Sequence, residues 1–80
     1  MADVTAAKLV DRVIFERGDG LYDVENVSAP GKLETARPGG LPGLKSLHEA
    51  HEIALGHMKT GGRVWVRHHH TPNSIELYRP

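Results

Sequence analysis

Histidine is the chemically versatile residue that this chain uses in excess, and its spacing is uneven. His48 and His51 stand three apart, His57 follows, and His68, His69 and His70 are consecutive. On a helix His48 and His51 would sit about one turn apart, and on a strand His68 and His70 would share a face. Imidazoles so placed are ligands that zinc, copper and nickel accept, with a third donor drawn from a neighbouring element. His48, His51, His68 and His70 are therefore the candidate metal ligands. His48-Glu49-Ala50-His51 is one residue short of His-Glu-x-x-His, which removes the geometry that the zinc-hydrolase motif needs. The competing reading is plain packing or surface exposure, and no cofactor is assigned. Six imidazoles also make the chain titratable: formally neutral at pH 7, it turns positive below about pH 6, so a pH-sensing module is a further expectation.

A second constellation lies in Arg63-Val64-Trp65-Val66-Arg67-His68-His69-His70. The residues alternate as on a half-buried strand, with Val64 and Val66 to one side and Arg63, Trp65, Arg67 and His69 to the other. Ile75-Glu76-Leu77-Tyr78 alternates again. A four-residue loop from Thr71 to Ser74 would set His70 opposite Ile75 and Val66 opposite Arg79. That register groups Val64, Val66, Ile75 and Leu77 inside and brings Tyr78 out beside Arg67. The expected contact face is thus Arg63, Trp65, Arg67, His69 and Tyr78. Trp, Tyr and Arg are the anchors enriched in protein interfaces, and aromatic rings between cations also suit single-stranded nucleic acid. The bland alternative is a Trp65 covered by a loop or a dimer partner.

These side chains must be positioned by few elements. Ser46-Leu47-His48-Glu49 is a capping box, opening a helix expected to run to about Lys59 and to close at Gly61 or Gly62 in a left-handed conformation. Leu47, Ala50, Ala54 and Met58 form its apolar stripe. Upstream, Val13-Ile14-Phe15 and Leu21-Tyr22-Asp23-Val24 flank Asp19-Gly20, a hairpin signal, with Phe15 expected opposite Val24 and a short helix over residues 5–11 as a prefix. Residues 28–45 hold four glycines and three prolines, a composition that resists helix and interior strand. It reads as a flexible loop, as a binding loop, or as cover for a short edge strand near Lys32 to Ala36. The expected fold is α+β, a two-layer ββαββ arrangement with one helix on an antiparallel sheet, in a single small domain over residues 1–80.

Composition narrows the function classes. The core is near the lower size limit for independent folding, so a homodimer is compatible with it. There is no cysteine, hence no disulfide, thiolate site or Cys nucleophile. No leader pattern and no long apolar run occur, which makes a cytoplasmic location the expectation and a membrane partner not expected. Charge is balanced overall but uneven: residues 1–27 carry six acids and three bases, while Lys59, Arg63, Arg67 and Arg79 face Glu76 alone after residue 58. No P-loop, Gly-x-Ser-x-Gly or Gly-x-Gly-x-x-Gly motif is present, and one helix on one sheet seldom encloses a pocket of a few hundred Å³. No enzyme activity is therefore expected.

Residues 44–78, from Leu-Lys-Ser-Leu-His-Glu-Ala-His-Glu-Ile-Ala through Gly-Gly-Arg-Val-Trp-Val-Arg-His-His-His to Ile-Glu-Leu-Tyr, resemble the helix-plus-hairpin half of small bacterial and phage domains of unknown function. The layout is similar to some small anti-CRISPR inhibitor proteins. Thr71-Pro72-Asn73-Ser74 stands where the first group has an Asp-Gly turn. The resemblance implies a binding protein whose partner is a protein or a protein–nucleic-acid complex, and it carries over no catalytic residue.

Overall fold

The computed structural model describes residues 2–35 and 43–79. Its strands are β1 (Ala2–Asp3), β2 (Arg12–Glu16), β3 (Tyr22–Ala29), β4 (Lys32–Thr35), β5 (Val64–His68) and β6 (Ser74–Leu77), with one helix, α1 (Leu47–His57), between β4 and β5. Among the described residues they form one sheet in the order β1-β6-β5-β2-β3-β4. The class is α+β as expected, but the sheet is mixed rather than antiparallel: β2 and β5 run parallel, Arg12 beside Val64 through Glu16 beside His68. A parallel neighbour requires a long crossover, and here β3, β4 and α1 supply it. The prefix expected as a helix over residues 5–11 is a single 3-10 turn, Val4–Ala6, capped by the Asp3 carboxylate.

The segment expected as a loop over 28–45 is largely something else. β3 continues to Ala29, Lys32–Thr35 is the edge strand foreseen there, and Leu44 pairs with Tyr22 through two backbone bonds. The remainder of that expectation falls on residues 36–42, outside the described ones.

The first hairpin differs from expectation by one residue. Ile14, not Phe15, stands opposite Val24. Asp19-Gly20 is not a two-residue turn; Arg17 N–H bonds the Leu21 carbonyl across Gly18-Asp19-Gly20, with both glycines at positive φ. One added loop residue shifts the register and exchanges the faces of the strand. The shift puts Ile14 and Val24, both fully buried, under the helix.

Apolar residues consequently line both sides of the sheet. On one side Ile14, Val24, Val64 and Val66 meet Ala50 and Ala54 of α1, flanked by Leu47, Ile53, Met58 and Tyr78. α1 starts as the capping box implies: Ser46 Oγ accepts the Glu49 amide, while Glu49 reaches back to the Lys45 amide. It ends at His57, and Gly61 turns the chain at φ +83°. On the other side Ala7, Val13, Val27 and Ile75 form a second cluster with Val4, Leu33 and Trp65 around it. The sheet curls about this second core. Its two ends approach each other there, because Gly31 and Leu33 of the β4 hairpin share a cleft with Val4, Pro72 and Asn73.

Candidate functional site

The residues expected to form one cationic-aromatic face are not presented together. Trp65 is half-buried, and its indole Nε1 donates to Asp11 Oδ2 at 2.9 Å. Arg67 makes a fork on Glu25, with Nη2 bonding both carboxylate oxygens at 2.8 Å and Nε adding a 3.0 Å bond. Its guanidinium also covers the Phe15 ring, 4.0 Å from the centroid. Arg67 is thus neutralised and committed inside the second core. Burial pushes the Glu25 carboxyl above its usual value, against the opposing pull of Arg67. Arg63 is exposed just before β5, and its backbone N–H is bound by Asp11 Oδ1.

The other two expected contacts are displaced by the β5–β6 register. The observed pairs are Trp65 with Leu77, Val66 with Glu76 and Arg67 with Ile75, a slip of three residues that inverts the expected faces. The strand ends at His68, and His69 and His70 lie in the turn, closed by Thr71 N–H to His68 O and Ser74 N–H to Thr71 O. His69 packs on Gly18, where an added Cβ would meet its ring at 2.9 Å. Ile75 fills the second core, and Tyr78 moves to the helix side, its ring 4.2 Å from that of His51.

The candidate metal ligands are likewise dispersed. His48 is exposed near Glu52, His51 stacks on Tyr78, and the rings of His68 and His70 are 5.7 Å apart. Among the described residues no group of three or more His, Asp or Glu is arranged to hold a metal ion. His68 instead bridges two carboxylates, Nδ1 to Glu16 Oε2 at 3.3 Å and Nε2 to Glu76 Oε1 at 3.1 Å. The Glu76 bond raises the imidazole pKa, burial opposes it, and the Glu16 charge adds to the rise. Carboxylates at both ring nitrogens favour the imidazolium form, in which neither nitrogen has a lone pair for a metal or for a general base.

What the structure does form is an open groove of about 630 Å³ along the β5–β6 side, a cavity larger than the fold class led us to expect. α1 lies over β2 and β3 and reaches β5 less closely, so the helix side of β6 is left open. Leu47, Val66 and Tyr78 supply apolar surface there, with Glu16, His68 and Glu76 as a polar cluster; Trp65 and Leu77 come from the other side of the sheet, and Arg79 from the chain end. The groove therefore wraps an edge. Tyr78 N–H donates to Val64 O, so by alternation the backbone of Leu77 and Arg79 faces away from β5. β1 opposes only Ile75 and Ser74. Leu77 faces Trp65 on β5, but on its outward side no strand among the described residues opposes it, and the residue is 39% exposed.

Asp11, Glu16, Leu47 and Glu76 are not among the site residues expected from the sequence. Glu16 and Glu76 share the alternation phase of His68, a signal readable only once β2 is known to neighbour β5. Asp11 sits between Lys8 and β2, where an aspartate often bonds nearby amides; that hint was present. No protein family, curated protein or solved structure matches this chain. No helix among the described residues is long and apolar enough to cross a membrane.

Proposed function

We propose that this is a non-enzymatic binding domain that takes an extended segment of a protein partner as an added strand on the edge of β6. The carrying observation is the outward-facing backbone of Leu77, which no strand among the described residues pairs, inside a groove lined from both sides of the sheet. Strand addition draws affinity from main-chain bonds and selectivity from alternate side chains. An incoming strand would place one set of side chains against Leu47, Val66 and Tyr78, and the other against Leu77 and Trp65. Contact surface thus moves from Arg63, Trp65, Arg67, His69 and Tyr78 on one face to a seam of which Trp65 and Tyr78 are opposite walls. A partner that belongs to a protein–nucleic-acid complex, as the resemblance to phage inhibitors implies, fits this reading.

The test uses a library of displayed random peptides selected on the domain. The Leu77 N–H points away from β5, so Leu77→Pro removes the donor an added strand needs and leaves the β5–β6 ladder intact. Selected peptides should shift the amide resonances of Glu76 to Arg79 and lose at least tenfold in affinity on L77P. Peptides that bind L77P equally well, or that shift residues around Glu25 and Arg67 instead, would overturn the proposal.

A further inference from the structure

Strand direction separates charge in this molecule. β2 enters at Arg12 and leaves at Glu16, and β5, parallel to it, is preceded by Arg63 and ends at His68. Antiparallel β6 extends the relation: Tyr78 bonds Val64, so the next residue, Arg79, falls beside Arg63. Backbone bonds bring two more segments to the same end. Arg12 N–H bonds Arg63 O, and Lys59 N–H bonds Val10 O, while Asp11 ties Lys8 to Arg63 by accepting both backbone amides. Lys8, Lys59, Arg63 and Arg79, more than fifty residues apart at the extremes, thus meet at one pole.

Among the described residues the one acid with a charge interaction there is Asp11, which acts on Lys8. All four side chains are exposed, and none has an ion pair among the described residues. Asp11, the acid nearest to them, is 3% exposed and its carboxylate is consumed by the Lys8 and Arg63 amides and the Trp65 indole. Arg12 behind them is buried, its guanidinium bonded among the described residues to the carbonyls of Leu9 and Asp11. Leu9, 59% exposed, lies among the cations. Four acids sit at the opposite pole: Glu16 and Glu76 on His68, and Asp19 and Asp23 beside Arg17.

We infer that the pole formed by Lys8, Lys59, Arg63 and Arg79 docks on the phosphate backbone of a nucleic acid. Unpaired lysines and arginines gathered on one surface match a polyanion, and the acidic pole orients the molecule by turning the opposite end away. Exposed Leu9 gives that surface an apolar contact for sugar or base. The surface adjoins the β6 groove, with which it shares Arg79, but Lys8, Lys59 and Arg63 lie outside that groove and the inference rests on charge rather than on the open strand edge.

The experiment is anisotropy of a fluorescein-labelled DNA duplex and of the matching single strand, titrated with the intact protein over a range of NaCl. Four phosphate contacts predict that log affinity falls against log salt with a slope of about 3.6 on duplex and about 2.8 on single strand. The double variant Lys59→Gln, Arg79→Gln should lower the duplex slope by about 1.8, while Lys45→Gln at the other pole should leave it unchanged. Circular dichroism establishes that the variants fold. Absence of binding to both DNAs at low salt, or binding that the double variant does not weaken, overturns the inference. Competition by polyglutamate as effective as that by unlabelled DNA also overturns it, in favour of an acidic protein partner.

Discussion

The indole nitrogen of Trp65 and Oδ2 of Asp11 are 2.9 Å apart, across 54 residues of sequence. Asp11 also accepts the amides of Lys8 and Arg63, so one carboxylate fastens the amino-terminal segment to the start of β5. This bond converts the single tryptophan, which looks like an exposed contact in the alternating pattern, into a structural residue with one edge committed.

Asp11→Ala would leave three donors without an acceptor. Each of the three is only part-buried, so at the lower end of roughly 1 to 3 kcal/mol for a group left unpaired a loss of about 3 kcal/mol is expected, which urea denaturation followed by Trp65 emission should report. Burial raises the Asp11 pKa, but the bonds from Lys8, Trp65 and Arg63 outweigh it and hold the group below 3.8. A depressed carboxylate contributes stability above its unfolded pKa and loses it as pH falls through the folded value. The wild type should therefore weaken below about pH 4 more steeply than Asp11→Asn does.

Removing one partner of the Glu25–Arg67 fork differs from removing both. Glu25→Gln leaves Arg67 buried without its counter-charge, at an expected cost of about 3 kcal/mol. The double variant Glu25→Met, Arg67→Met should recover most of that loss, since an apolar pair of similar volume often replaces a buried ion pair at little cost. Chemical denaturation of the wild type and the two variants tests this, and a double variant no more stable than Glu25→Gln would contradict it.

His68 should titrate above 6.5, because Glu76 and Glu16 stabilise its imidazolium against the opposing effect of burial. A raised histidine pKa gives stability that is complete below the unfolded value and lost as pH rises through the folded one. Wild-type stability is thus expected to decline from about pH 6.5 upward, and His68→Gln to flatten that region. Proton NMR of the ring should show a lower midpoint in Glu76→Gln.

Gly62 faces the Val10 carbonyl so closely that an added Cβ would lie 2.2 Å from its oxygen. Backbone cannot yield as a side-chain tip does, so Gly62→Ala should destabilise by about 2 kcal/mol or more. Gly56→Ala, which meets nothing within 4 Å on the exposed side of α1, should instead stabilise by about 1 kcal/mol.

What was legible in the sequence is what neighbours in the chain decide. Ser46 and Glu49 announce the helix start and Ala50 and Ala54 its buried side, whereas the strand at Lys32 is only one of three readings of a segment expected as a flexible loop. Trp65, Arg67, His69 and Tyr78 were misread as one face because a turn of five residues, His69 to Asn73, replaced a turn of four, and the core claimed Ile75. Parity then reassigned every side chain on β6. The parallel neighbour of β2 had no local signature at all: Val13 and Ile14 suit any buried strand, and what stands beside them is written fifty residues later.

That separation has a consequence for synthesis on the ribosome. The middle of the sheet cannot close until β5 emerges, so β2 must wait with its outward backbone groups unpaired while β3, β4 and α1 are made. Long-range pairing of this kind slows folding and exposes strand edges to neighbouring chains. Slower translation or lower temperature should matter more to the yield of this domain than its small size suggests, and a chain stopped before Arg63 would lack the strand around which everything else is arranged.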